Sequence, residues 1–214
     1  MITLKALDHG EAVRYLGGAG VAMNECMEQL LLECEADILA EASPKYLYKI
    51  IDLPSPELMQ GRDISSHLDG CSEAVLFCAT LGSGVDRLLR IEQVRDMSRA
   101  VVLDALASVA IEQVGTQFDA FLKERRPDRY PTYRFSPGYG DFPLEMQKLL
   151  LTELDAQKKI GLTASERFLL IPTKSETAVI GLSKTELPPA KRGCASCNLR
   201  ETCIYRKRGD RCGS

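Results

Sequence analysis

The part of the sequence that most constrains the fold is residues 98–124, a continuous stretch rich in Ala, Val and Leu. Helix formers dominate this stretch, and its apolar residues recur at helical spacing. Four small residues near its middle would let another layer of structure approach closely: Ala105, Ala107, Ser108 and Ala110. We therefore predict one long helix that packs tightly on the rest of the protein.

Shorter patterns predict the elements around this helix. Aromatic and β-branched residues predict strands over residues 46–51, 73–80, 167–172 and 177–182, with the last two paired as a hairpin. Helical spacing predicts helices over residues 20–42, 85–95 and 142–157.

Two details of local structure accompany these elements. Asp141 is predicted to be the N-cap of the helix that follows it, or the residue before that N-cap. Gly82 and Gly84 are interpreted as a structural turn, because the dinucleotide-binding fingerprint is absent. The predicted fold class is α+β, with long helices packed on a mainly antiparallel twisted sheet.

Composition narrows the function before any motif is considered. The 214 residues are 45% hydrophobic and 27% charged, which is ordinary for a globular protein with its own core. A net charge of -3 lacks the basic character of proteins that bind phosphate backbones, so no nucleic acid partner is expected. The first residues carry no signal-peptide pattern, and the apolar runs fall short of about 18 residues. We expect a cytoplasmic protein with no membrane contact.

Residues 134–141 combine the features of a small-molecule binding loop. Arg134 supplies a fixed cation that can pair a carboxylate through two parallel hydrogen bonds. Gly138 leaves the backbone accessible, Pro137 restricts the loop, and Tyr139 adds an aromatic face. This combination suits a zwitterionic or carboxylate ligand. A plain turn between two helices, with Arg134 ion-paired at the surface, fits the residues equally well.

Glu112 interrupts the apolar middle of the long predicted helix. A carboxylate on the solvated face of an amphipathic helix is the simpler interpretation, and the sequence alone favours it. The alternative is a carboxylate that faces a pocket lined by the helix.

Residues 134–139, Arg-Phe-Ser-Pro-Gly-Tyr, resemble the Arg-x-x-x-Gly-Tyr motif of the S-adenosylmethionine (AdoMet)-binding activation domain of cobalamin-dependent methionine synthase. The similarity extends to the Ala-rich helix before the motif, to the helix start at residues 141–144 and to the late strand at residues 175–182. It takes the form seen in free-standing homologues of that domain. The resemblance implies an activation-like domain over residues 1–190, followed by a small tail over residues 191–214.

This resemblance implies an AdoMet-binding accessory protein for the reductive reactivation of a cobalamin-dependent methionine synthase or a related corrinoid protein. In the family, an electron from a reduced protein such as a flavodoxin or ferredoxin, together with a methyl group from AdoMet, returns inactive Co(II) corrinoid to methylcobalamin. By position, Arg134 would bind the AdoMet carboxylate, and the backbone near Phe135 would bind its adenine or amino acid portion. Gly138 and Tyr139 would shape the pocket. Glu112 becomes a candidate partner for the cationic groups of the ligand.

The chain departs from the family in two respects. Its late strand has Glu176-Thr177 where the full-length enzyme has aromatic residues, so the resemblance implies no ligand contacts there. We recognise no cobalamin-binding or substrate module in these 214 residues, so we expect a partner protein to supply cobalamin. One alternative is a non-catalytic docking module for a corrinoid methyltransferase, with a structural zinc tail. Another is an AdoMet-dependent methyltransferase for a different acceptor, which the missing Gly-rich loop after a first strand disfavours.

Cysteines near the end of the sequence stand at metal-ligand spacing. Cys194 and Cys197 can chelate one centre from a tight turn, and Cys203 and Cys212 would complete a four-thiolate shell. The implied function favours a 4Fe-4S cluster, which would supply the electron that reductive methylation needs. Structural zinc and a metal-free tail with redox-labile thiols are the alternatives. The remaining cysteines are interpreted as small core residues: Cys26, Cys34, Cys71 and Cys78.

Overall fold

The long central helix organises the fold. A computed structural model describes residues 2–17, 24–188, 201–203 and 207. The described helices are α1 (His9–Tyr15), α2 (Glu25–Glu41), α3 (Arg62–His67), α4 (Ser83–Arg95), α5 (Met97–Arg125), α6 (Met146–Glu153) and α7 (Ala156–Ile160). The described strands are β1 (Lys45–Asp52), β2 (Glu73–Thr80), β3 (Tyr130–Pro131), β4 (Thr163–Ala164), β5 (Leu170–Ile171) and β6 (Ser175–Ser183).

The main sheet is antiparallel, with the strand order β1-β2-β6-β3. Its two central strands pair over their full length, so that Glu73 of β2 lies opposite Leu182 of β6 and Thr80 lies opposite Ser175. Strands β4 and β5 form a separate two-stranded sheet. This architecture confirms the α+β prediction of long helices on a mainly antiparallel sheet.

The central strands are covered on both faces, which explains their nearly continuous apolar sequence. In β2, Val75 and Phe77 belong to a core that includes residues of α2, α4 and α5. Leu76 and Cys78 belong to a second core on the opposite face, together with residues of α6 and α7. The two-residue period of a strand divides its side chains between these cores. The same period governs where the side chains of β6 lie.

Helix α5 confirms the prediction of a long helix and exceeds its bounds by one residue at each end. Asp96 caps its start by accepting hydrogen bonds from the N–H groups of Ser98 and Arg99, at 2.9 and 3.1 Å. Gly84, the second residue of α4, lies against the carbonyl oxygen of Glu41 where a Cβ would clash, so the packing of α4 requires glycine there. Among the described helices, none is long and apolar enough to cross a membrane.

The predicted hairpin between residues 167–172 and 177–182 is wrong. Leu170 pairs with Ala164 of β4, whereas β6 pairs with β2 on one side and with β3 on the other. An apolar strand pattern indicates burial on two faces but does not specify the pairing partner. Here β6 takes a central position, where its apolar residues are covered by both cores.

The single helix predicted over residues 142–157 is also wrong, because α6 and α7 are separated at Asp155, whose φ of 52° is left-handed. Asp141 is not the N-cap of α6. Its carboxylate instead accepts hydrogen bonds from the N–H groups of Arg62 and Asp63, both at 2.9 Å, and so caps α3. The cap acts across the fold, so local sequence could not indicate it.

Other predicted bounds were close. Helix α2 begins at Glu25 with Asn24 as its N-cap. The predicted start at residue 20 lies outside the described residues. Four short elements were not predicted from sequence: α1, α3, β3 and β4.

Candidate functional site

Residues 130–135 run along β6 and form the outer edge of the main sheet. The N–H of Phe135 donates to the carbonyl of Val179 at 2.9 Å, and the N–H of Val179 donates back to the carbonyl of Phe135 at 2.8 Å. Nearer β3, the N–H of Thr132 donates to the carbonyl of Gly181 at 2.9 Å. The segment predicted as a loop is therefore extended up to Phe135 and turns only afterwards.

Arg134 is held by three carboxylates. Its Nη1 donates to both oxygens of Glu176, at 2.8 and 2.6 Å. Its Nη2 lies 3.3 Å from Oε2 of Glu112, and its Nε lies 3.2 Å from Oδ2 of Asp119. We call this set the Arg134 cluster: Arg134, Glu112, Asp119 and Glu176. Each of the three guanidinium nitrogens has a carboxylate oxygen within 3.3 Å.

A glycine in α5 makes room for the guanidinium. A Cβ on Gly115 would overlap Nη1 and Cζ of Arg134, so the guanidinium lies directly against the helix backbone. Glu112 and Asp119 stand three residues before and four residues after Gly115, which places all three on one face of α5. The helix thus presents two acids with a slot between them.

Glu176 approaches the same slot from the sheet. It shares the two-residue period of Ala178 and Ile180, which lie in the core that contains α5. Its side chain is 16% exposed, close to the 13% of Arg134, whereas Asp119 and Glu112 are 37% and 56% exposed. The tightest ion pair of the cluster is therefore also its most buried.

The charges of the Arg134 cluster do not balance. Burial raises the pKa of Glu176 to about 7, outweighing the lowering by Arg134, and the neighbouring Glu112 and Asp119 raise it further. Burial also raises the pKa of Asp119 despite the nearby guanidinium. Burial lowers the pKa of Arg134, but the three carboxylates together bring it above its usual range. Within the Arg134 cluster one permanent cation thus faces three acids, and Lys123 acts on Asp119 from outside the cluster.

Phe135 faces the opposite side of the sheet. Its ring is 9% exposed and stacks on His67, with centroids 4.9 Å apart and planes at 24°. Phe142 packs against the same ring at 6.0 Å. Both backbone groups of Phe135 are taken by Val179, so the backbone contacts implied by the resemblance would have to come from its neighbours.

Gly138 and Tyr139 form the turn after the edge segment. Gly138 has a φ of 92°, a left-handed conformation that side chains rarely adopt, and its N–H donates to the carbonyl of Phe142 at 2.9 Å. Tyr139 is 61% exposed. Partial burial and then the charges of Glu112 and Glu176 raise the pKa of its hydroxyl, which places Tyr139 in the field of the Arg134 cluster.

The structure thus brings Arg134 and Glu112 into contact, leaves Tyr139 within electrostatic range of Glu112 and Glu176, and turns Phe135 towards the other core. Sequence reasoning missed Gly115, Asp119 and Glu176. A glycine inside a long helix, with acids three and four residues away on the same face, is the pattern that could have indicated the first two.

The predicted metal site lies mostly outside the described residues, since Cys194, Cys197 and Cys212 all fall there. Cys203 is described and half-buried, and its carbonyl accepts a hydrogen bond from the N–H of Lys207 at 3.2 Å. Within the described part of the chain, no group of three or more His, Cys, Asp or Glu side chains is placed to hold a metal ion.

The remaining cysteines largely behave as core residues. Cys34 and Cys78 are buried, and burial raises their thiol pKa values to about 11 and about 12. Cys71 is half-buried and packs against Gly181. The prediction was wrong for Cys26, which is exposed near the start of α2.

Comparison with known proteins supports the fold. A crystal structure of the MetH reactivation domain bound to AdoHcy aligns with this chain at a TM-score of 0.60. The alignment covers 95% of this chain and 82% of that chain, at 14% sequence identity. No protein-family model matches the sequence, and no curated protein matches it significantly. At this identity the likeness establishes a shared fold.

Proposed function

We propose that this protein binds AdoMet at the Arg134 cluster and assists reductive remethylation of a cobalamin-dependent methionine synthase or related corrinoid protein. The observation that supports the proposal is the position of the Arg134 guanidinium, which packs directly against Gly115 of α5. The fold around it is shared with the MetH reactivation domain, which was solved bound to AdoHcy. The site lies within the segment whose sequence resembles the Arg-x-x-x-Gly-Tyr motif.

The chemistry of the cluster suits the ligand. AdoMet carries one carboxylate and two cationic groups, an ammonium and a sulfonium. Arg134 would hold the carboxylate through its guanidinium. Glu112, the most exposed acid of the cluster, would face a cationic group. Gly138 and Tyr139 would line the edge of the pocket, and Phe135 would support the pocket from the core.

The remethylation itself needs two inputs. An electron from a reduced protein such as a flavodoxin or ferredoxin would reduce Co(II) to Co(I), and Co(I) would take the methyl group from the sulfonium of AdoMet, leaving the thioether. Cobalamin would be bound by the partner protein. The role of this chain's residues is to hold the methyl donor in position by its amino acid end.

We also propose that residues 191–214 form a separate basic tail whose Cys194, Cys197, Cys203 and Cys212 hold a 4Fe-4S cluster or zinc. The proposal rests on the spacing of the cysteines. Anaerobic purification followed by iron, sulfide and zinc analysis tests it, and four irons and four sulfides per chain are expected. Stoichiometric zinc would refute an electron-transfer role, and a metal-free chain would refute the site altogether.

Calorimetric titration with AdoMet tests the binding site. In Arg134→Ala the affinity is expected to fall by at least about 30-fold, equivalent to the roughly 2 kcal/mol lost when one partner of a buried charge pair is removed. Arg126→Ala is the matched control, because Arg126 is also an arginine paired with a glutamate, but its partner Glu73 is not part of the Arg134 cluster. Unchanged affinity in Arg134→Ala would reject this site.

One observation favours a second function, that of a non-catalytic docking module with a vestigial pocket. Every nitrogen of the Arg134 guanidinium already has a carboxylate partner in the free protein. Co-purification with a cobalamin protein, without any binding of AdoMet, would support docking. Conversion of that partner's Co(II) spectrum to methylcobalamin, given AdoMet and a reductant, would support reactivation.

A further inference from the structure

Glu176 occupies the position on Arg134 that a ligand carboxylate would need. Its two oxygens lie 2.8 and 2.6 Å from Nη1, whereas Asp119 and Glu112 lie at 3.2 and 3.3 Å from the other two nitrogens. A carboxylate that approached Nη1 would meet the charge of Glu176 at contact distance. Like charges this close repel strongly in a partly buried site.

The backbone fixes Glu176 in this position. Glu176 lies opposite Ala79 in the ladder between β6 and β2, and its side chain lies on the face of the sheet that packs on α5. Gly115 holds the guanidinium against α5 from the other side. The contact is therefore built into the packing of a helix on a sheet, and only side-chain rotation or loss of charge can open it.

We infer that Glu176 is a gate on the ligand site: in the free protein it closes the carboxylate-binding position of Arg134, and an α-amino acid ligand binds when Glu176 is displaced or neutralised. This inference rests on the proposed function, because it assigns a competitor to the same guanidinium. It also makes Glu176 a specificity-determining residue, since only ligands with a carboxylate encounter the gate.

Proton uptake is the simplest way to open the gate. The charged and titratable groups that face Glu176 are Arg134 from the edge segment, Glu112 and Asp119 from α5, and Tyr139 from the turn. Burial first, and the two acids in addition, raise the pKa of Glu176 to about 7, so a proton is readily available near neutral pH. Binding of a carboxylate ligand should then take up a proton.

Calorimetry on the full chain tests the gate with two variants, Glu176→Gln and the control Glu73→Gln, and with two ligands, AdoMet and decarboxylated AdoMet. If only the protonated form binds, Glu176→Gln should bind AdoMet about tenfold more tightly than wild type at pH 8 and less than about twofold more tightly at pH 6. Because the variant and the wild type are compared at the same pH, the protonation state of the ligand is the same in both and does not affect the ratio of their affinities. Decarboxylated AdoMet should gain no affinity in Glu176→Gln, and Glu73→Gln should match wild type.

The outcomes are distinct. Weaker AdoMet binding in Glu176→Gln, or an equal gain for both ligands, would overturn the gate, because Glu176 would then act on the cationic part of the ligand. Equal AdoMet affinity in wild type and Glu176→Gln at every pH would also overturn it, because removal of the charge would then open nothing. The pH profile of the wild type is an independent measurement, should the variant fold poorly. If AdoMet binds neither the wild type nor the variants at any pH, the result refutes the proposed function and not only the gate.

Discussion

Two clusters of arginine and acidic residues link the main sheet to helix α5 and to the segment that follows this helix. They differ in how far their positive and negative charges balance. One is the Arg134 cluster, in which a single arginine meets three acids. The other, which we call the Glu73 cluster, consists of Glu73, Arg126, Asp128 and Arg129. In the Glu73 cluster both arginines donate to the same carboxylate oxygen of Glu73, at 2.8 and 2.7 Å.

The central glutamates of the two clusters have similar exposed fractions but lie at different depths in the fold, and their pKa values shift in opposite directions. Glu73 is 18% exposed and Glu176 is 16% exposed. Hydrogen bonds from Arg126 and then Arg129 lower the pKa of Glu73 and outweigh burial. For Glu176, burial outweighs the single arginine and raises the pKa to about 7.

The difference has two causes: Glu176 lies deeper in the fold, so burial is the largest effect on its pKa, and it has one arginine partner where Glu73 has two. In the Glu73 cluster two arginines face two acids, so each charge is compensated and the set fastens the end of α5 to β2. In the Arg134 cluster one arginine faces three acids, and the folded protein favours the neutral form of Glu176 up to about pH 7. The Glu73 cluster therefore serves as scaffold, whereas the Arg134 cluster has the uncompensated charge that the proposed ligand site requires.

The largest expected effect is on the pH dependence of stability in Glu176→Gln. The folded pKa of Glu176 is raised above its unfolded value, so the wild type loses stability as pH rises from about 4.5 to about 7. That loss is at most about 3 kcal/mol, and Glu176→Gln should escape it. Urea unfolding of both proteins at pH 5 and pH 8 measures the difference. Parallel pH profiles would mean that Glu176 is charged throughout, like Glu73.

The second effect concerns Gly115, against which the guanidinium of Arg134 packs. Gly115→Ala should expel Arg134 from α5 and weaken AdoMet binding by about 30-fold, although alanine favours the helix by roughly 0.5–1 kcal/mol. Thr116→Ala, at the next and exposed position, is the control and should bind as wild type. Calorimetry decides, and equal affinity in the two variants would show that the slot is not needed for binding.

The smallest effect is expected in the compensated cluster. Glu73→Gln should lower the free energy of unfolding by about 1–2 kcal/mol at pH 7, because it weakens charge-assisted hydrogen bonds from Arg126 and Arg129. The lowered pKa of Glu73 stabilises the fold above about pH 4.5, so the deficit should shrink as pH falls below that value. A deficit that grows in acid would contradict this assignment.

Local patterns predicted much of the fold. Helix α5 and strand β2 were found at nearly the expected bounds, because a long run of helix formers and a short apolar β-branched run each specify their own conformation. The pairing of β6 was missed, since any apolar strand can satisfy the hydrogen bonds of another. The break at Asp155 was missed as well, because it depends on a single left-handed residue.

The candidate site divides in the same way. The sequence by itself singled out Arg134 and Tyr139 as candidates, because a cation and an aromatic ring beside a glycine turn are visible locally, whereas Glu112 became a candidate only through the family resemblance. Only the tertiary structure brought Glu176 and Gly115 to Arg134, since their meeting depends on which faces of β6 and α5 pack together. Side-chain period fixes the residues on each face, but the burial of the whole core decides which faces meet.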